Sequence, residues 1–125
     1  MNIRKVQVVR HDNTLHDKLL NGSSINYTTK SHPEQYGKTL VHCAFGEGRP
    51  TLAVTATSED LLRLFPSLVP VKLYSTGMGR IMDEDSLLNL EQVRVINPHP
   101  DFCAVEFIDG TDIVIKTLPS TLDAQ

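Results

Sequence analysis

Asn89-Leu90-Glu91-Gln92-Val93-Arg94-Val95-Ile96-Asn97-Pro98-His99-Pro100-Asp101-Phe102-Cys103-Ala104-Val105-Glu106-Phe107-Ile108-Asp109-Gly110-Thr111-Asp112-Ile113-Val114-Ile115-Lys116-Thr117 is the stretch whose reading decides the fold. Residues 90–96 alternate as a half-buried strand does, and 97–101 form a cluster of turn formers. Residues 102–107 supply a second strand and 111–117 a third. Gly110 selects the hairpin between those two: a loop made of a type I turn and a left-handed residue needs glycine last. Phe107 then faces Thr111, Val105 faces Ile113 and Cys103 faces Ile115, which leaves one apolar face to cover a core. A two-residue Asp-Gly loop would pair Val105 with Val114 and Phe107 with Asp112, mixing the faces. The three-residue register sets Glu106 opposite Asp112, a mild repulsion.

Working outward, residues 5–10 read as a first strand. Residues 13–20 read as a short helix, capped by Asp12 or Asn13, stopped at Asn21-Gly22, with Leu15 and Leu19 on one face. Residues 23–38 are polar and turn-rich, a surface excursion in which only 25–28 can make a brief strand. Residues 39–45 and 51–56 form a hairpin whose loop, 46–50, carries Arg49 near its tip. Thr57 caps a helix with Asp60 in a capping-box position; Pro66 limits it to about two turns, and Leu61, Leu62 and Phe65 face the sheets. Residues 69–74 form another strand, 75–79 a loop or bulge, and Asp83-Glu84-Asp85 an acidic loop before Leu87-Leu88. Residues 118–121 turn the chain out of the sheet. No long repeat is evident. The fold class is mainly β, antiparallel hairpins with one or two short helices, in a single domain over 1–125. Within it, 1–38 is a strand-helix-loop segment, 39–117 the β core and 118–125 a tail.

A chain of 125 residues is of single-domain size and buries a modest core without covalent staples. Its 40% hydrophobic and 22% charged residues argue against wholesale disorder. No apolar run approaches the roughly 20 residues of a membrane helix, and residues 1–5 lead into a Val-rich strand instead of a secretory core. The expectation is a cytoplasmic protein with no membrane partner, in which Cys43 and Cys103 are free thiols inside strands. The formal net charge is -3, unevenly spread. Arg4, Lys5, Arg10, Lys18, Lys30, Lys38 and Arg49 fall in the first fifty residues, and most acids come later. Such asymmetry gives the N-terminal part a positive face suited to phosphate, since basic patches act through local field.

Chemistry-bearing patterns are sparse. His42 and Cys43 are neighbours in a strand and point to opposite faces, and His99 and Cys103 have no ligand spacing, so no metal is expected. Residues 83–85 lack the spaced oxygens and glycine of a calcium loop. No G-x-S-x-G occurs, and Gly77-Met78-Gly79-Arg80 lacks the longer spacing and the Lys-Ser/Thr ending of a phosphate loop. Neither an enzyme nor a cofactor is expected.

The order of elements resembles the LytTR family, DNA-binding domains of bacterial transcription regulators. The pattern is a hairpin, a helix at Ser58-Glu59-Asp60-Leu61-Leu62-Arg63-Leu64, a strand, the segment Leu87-Leu88-Asn89-Leu90-Glu91-Gln92-Val93, and a terminal hairpin with Asp109-Gly110. The resemblance covers about residues 39–117 and implies an elongated, mostly β fold whose loops enter successive DNA major grooves. It also implies Arg, His and Ser ahead of the Leu-Val-Asn segment, where this chain has Ile81, Asp83 and Asp85; carboxylates there repel phosphate. The phosphate contacts expected from charge and exposure are therefore Arg4, Lys5, Arg10, Arg49 and Arg80. The expectation is a small regulatory protein binding DNA without catalysis. The competing expectation is a protein-interaction or inhibitory module, with a protein partner or a second copy, whose Asp83, Glu84 and Asp85 meet a basic surface.

Overall fold

A computed structural model describes residues 2–10, 12–30, 38–44, 51–75 and 81–116, with Ile81 and Met82 described in the backbone alone. The strands are β1 (Ile3–Val9), β2 (Leu15–Asn21), β3 (Ile25–Lys30), β4 (Thr39–Cys43), β5 (Thr51–Val54), β6 (Leu68–Ser75), β7 (Ile81–Asn89), β8 (Val93–Pro98), β9 (Cys103–Phe107) and β10 (Asp112–Ile115). Among the described residues, one helix, α1 (Ser58–Leu64), stands between β5 and β6, and two 3-10 turns, Gly22–Ser24 and Leu90–Gln92, join β2 to β3 and β7 to β8. All ten strands belong to one antiparallel sheet in the order β2-β1-β5-β4-β3-β7-β6-β10-β9-β8.

The terminal hairpin has the register expected of it. Gly110 sits at φ 90°, Phe107 N donates to Thr111 O at 2.8 Å and Gly110 N to Phe107 O at 3.0 Å. Val105 lies opposite Ile113, Cys103 opposite Ile115 and Glu106 opposite Asp112. Arg94 pairs with Glu106 from β8 and offsets the repulsion. The α1 cap is also as read: Thr57 Oγ1 accepts from Asp60 N at 3.2 Å, and the Asp60 carboxylate accepts from Thr57 N at 3.1 Å. These bonds, with Arg63 nearby, hold the Asp60 carboxyl below its usual range.

Four expectations are corrected. Residues 13–20 are not a helix: Leu15–Asn21 is strand β2, paired along its whole length with β1. Leu15 and Leu19 are four apart, a spacing that suits one helix face and one strand face equally. Asn13, at φ 67°, makes the tight turn between β1 and β2, and Asp12 accepts from Thr14 N. Residues 23–38 are not wholly a surface excursion. Ile25–Lys30 is strand β3, in the middle of the sheet, with Ile25, Asn26, Thr28 and Thr29 buried. Its threonines are polar in sequence but bonded inside: Thr28 Oγ1 accepts from Leu87 N at 3.1 Å. Residues 90–92 form a 3-10 turn, so the strand expected from residue 90 begins at Val93. Lastly, Asp83, Glu84 and Asp85 are not in a loop but in β7, the strand that joins the halves of the sheet.

Those halves are copies of one plan, against the expectation of no repeat. The first half orders its strands β2-β1-β5-β4-β3 and the second β7-β6-β10-β9-β8, the same path twice. Registers agree: Ile25 faces Cys43 as Val93 faces Phe107, and each ladder is interrupted one residue later, before Tyr27 and before Val95. Val8 faces Val54 as Leu73 faces Ile115. Leu19-Leu20-Asn21 before the first 3-10 turn returns as Leu87-Leu88-Asn89 before the second, and each Asn side chain accepts from the amide two residues on. The tripeptide alone is too short to stand out; the shared pairing pattern makes it a repeat.

The halves join through β3 and β7, where Tyr27 faces Leu88. Leu87 packs in the core of the first half, with Val6, Val8, Val41, Val54, Leu61, Phe65 and Leu68. Leu88 packs in the core of the second, with Val71, Leu73, Val105, Phe107, Ile113 and Ile115. Adjacent strand residues point to opposite faces, so the two cores lie on opposite faces of one sheet. Asn89, fully buried, stitches the junction by donating to Gly22 O at 3.0 Å and Ile25 O at 2.8 Å. Gly22 is required by crowding: a Cβ there would stand 2.5 Å from the Phe65 ring.

Candidate nucleic-acid interface

The register of the β1–β2 ribbon sorts the N-terminal cations. Arg4 lies opposite Leu20, Lys18 opposite Val6 and His16 opposite Val8, so Arg4, Lys18 and His16 share a face, and Arg10 follows on it one step past β1. Arg4, Lys18 and Arg10 are exposed. Lys5 is on the other face, where its ammonium stands 3.3 Å from Asp17. Of the three cations expected near the N-terminus, Arg4 and Arg10 therefore point to the same side, along with Val6 and Val8, and Lys5 to the other. Lys18 joins them. Read as part of a helix, it had no reason to stand beside Arg4. Arg49 and Arg80 lie outside the described residues.

The distribution of ion pairs is lopsided. In the second half every described Lys or Arg is engaged: Lys72 with Asp85 at 3.0 Å, Lys116 with Asp83 at 3.1 Å, and Arg94 with Glu106. In the first half, among the described residues, Arg4, Arg10, Lys18 and Lys38 stand in no ion pair with a carboxylate. The acidic triplet is correspondingly occupied. The ammonium of Lys72 holds the Asp85 carboxyl below its usual range, with Lys30 adding to the effect, and Glu84 accepts from Lys30 N at 3.3 Å.

An open cleft of about 380 Å³ between β1, the residues after β5 and α1 is lined by Lys5, Gln7, Thr55, Asp60 and Arg63. Its charges are already spent on the Lys5–Asp17 and Arg63–Asp60 pairs. Among the described residues no three His, Cys, Asp or Glu side chains gather as metal ligands would. His42 instead stacks on Tyr27, ring centroids 4.3 Å apart, with Thr29 Oγ1 2.9 Å from Nε2. Tyr27 stacks in turn on Phe107 of the second core. Burial, and the Asp109 carboxylate, push the Tyr27 phenol up. Cys43 and Cys103 are free thiols, and burial raises that of Cys43. No helix of the described residues is long and apolar enough to cross a membrane.

The structure thus defines an antiparallel, mainly β protein built on a doubled five-stranded plan. No family model, curated protein or solved structure matches the chain.

Proposed function

We propose that the protein is a small non-enzymatic regulator that binds DNA through the exposed cations Arg4, Arg10 and Lys18 of the β1–β2 region. The observation that supports this reading is the segregation of charge. Among the described residues, cations without a carboxylate partner collect in the first half, three of them on the β1–β2 region, while Lys72, Arg94 and Lys116 of the second half are each paired. The side that carries them also carries Val6, Val8 and Leu20, buried in the first core, so the three cations stand at the rim of that core, exposed and able to reach phosphates. This assigns DNA contact to the N-terminal ribbon. The positions to which the LytTR resemblance would assign it include Asp83 and Asp85, acidic and tied to Lys116 and Lys72. The reading of Asp83, Glu84 and Asp85 as a docking loop loses support for the same reason: those side chains already have partners.

Fluorescence anisotropy with mixed-sequence duplex DNA tests the reading. Three phosphate contacts predict that the logarithm of the binding constant falls with that of salt concentration with a slope of roughly -3. The double variant Arg4→Ala, Lys18→Ala should reduce that slope by roughly two. Absence of salt-sensitive binding, or binding indifferent to the double variant, would remove the proposal.

A further inference from the structure

A doubled plan whose copies meet through unlike edges has two edges left over, and here they are the two that fit each other. The first half offers its β3 edge to the β7 edge of the second. β8 is the counterpart of β3 and β2 the counterpart of β7, and these strands end the sheet. Among the described residues, the five exposed large hydrophobic residues all stand at or beside those ends: Ile3, Leu15 and Leu19 on β1 and β2, Val95 on β8, and Ile108 just after β9.

Three of them are counterparts of residues that seal the internal junction. Leu19 corresponds to Leu87 and Ile3 to Leu68, which are 2% exposed inside the first core, whereas Leu19 is 76% and Ile3 38% exposed. Val95 corresponds to Tyr27, which packs against the second core. Asn21 corresponds to Asn89. Its side-chain oxygen accepts from Ser23 N as that of Asn89 accepts from Glu91 N, but its amide nitrogen has no partner among the described residues, where that of Asn89 binds two carbonyls across the junction. Repeat proteins that stay monomeric close their ends with polar caps, and edge strands are guarded with charge. Leu19 and Val95 are the reverse of such guards.

We propose that the chain assembles head to tail with further copies of itself, the β8 edge of one pairing antiparallel with the β2 edge of the next and Val95 opposite Leu20, as Tyr27 is opposite Leu88. The occupant is argued from the junction within the chain, which this contact would repeat, and from charge. Residues 1–67, which end in the β2 edge, hold eight Lys and Arg against six Asp and Glu; residues 68–116, which end in the β8 edge, hold four against eight. The two halves are therefore opposite in net sign, which favours contact between unlike ends over contact between like ones. Unlike edges give a closed ring or an open filament according to the rotation at each step. The contact uses the Leu19 face of the ribbon, opposite to Arg4 and Lys18.

Sedimentation velocity on the whole chain, from about 1 to about 100 μM, tests this. The wild type should sediment with a mass that grows with concentration beyond the 13.9 kDa monomer. Leu19→Lys and Val95→Lys should each remain monomeric alone, with far-UV circular dichroism unchanged. Mixed in equal amounts they should form a one-to-one dimer and nothing larger, since each retains the edge the other lacks. If lysine at 95 unfolds the chain, Val95→Thr keeps the β-branched shape and should weaken assembly in the same direction. A wild type monomeric throughout would overturn the proposal, and so would variants that fail to complement. A like-with-like interface would leave neither variant able to rescue the other.

Discussion

His42 shows how far a single residue can be read. Alternation along its strand separates it from Cys43, which disposes of a shared metal ion. That the imidazole would lie between Tyr27, Thr29 and Thr51 was not legible, because it depends on β3, a strand whose polar threonines disguise its place in the sheet. Burial lowers the His42 pKa from 6.5 to about 4. The folded chain therefore keeps the ring neutral over a range where the unfolded chain protonates it, so its contribution is intact above about pH 6.5 and is lost as pH falls toward 4. At about 1.4 kcal/mol for each pKa unit, the limit is roughly 3 kcal/mol. Urea unfolding between pH 7 and 4.5 should show the wild type losing about 2 kcal/mol more than His42→Gln. Equal pH slopes would mean that the ring is free to take a proton in the native state.

At the scale of the element, what could be read was what local chemistry closes on itself. The Gly110 hairpin and the Thr57 capping box are fixed by residues within a few positions of one another, and both stand as expected. That residues 13–20 are strand β2, and that the brief strand expected at 25–28 lies in the middle of the sheet, was hidden because their decisive partners are remote: nothing within residues 13–20 tells a spacing of four in a helix from a spacing of four in a strand. The helix α1 provides a measure. It has seven residues, too few to hold in isolation, and it depends on its cap and on Leu61 and Phe65, both fully buried. Thr57→Ala removes the acceptor for Asp60 N and should lower stability by about 1 kcal/mol in urea titration. Thr57→Ser should restore most of it. A serine variant no better than alanine would show that the methyl group, and not the hydroxyl, is what matters at that position.

The whole molecule is where sequence said least, since its organising fact is a duplication visible only in pairing. Leu-Leu-Asn occurs twice, but Gly22 stands where the second copy has Leu90, and the chain from β4 to β5 is longer than that from β9 to β10. Sequence comparison of the halves is thereby blurred while strand order and register are kept. The halves are alike in plan but placed differently, one with its Leu-Leu-Asn edge inside the sheet and one with it at the rim. Equivalent substitutions should then have unequal costs. Leu87→Ala removes a side chain buried at the junction and should destabilise the fold by about 2 to 5 kcal/mol. Leu19→Ala, its counterpart, should stay within about 0.5 kcal/mol when measured at a concentration low enough to keep chains apart. Chemical unfolding of the two variants side by side checks the placement of β7 directly, since costs that are equal, or in the reverse order, would require the β7 edge to be the exposed one. The same pair links stability to assembly: the substitution that leaves the lone chain intact is the one that should weaken association, because Leu19 has at the rim the work that Leu87 does within.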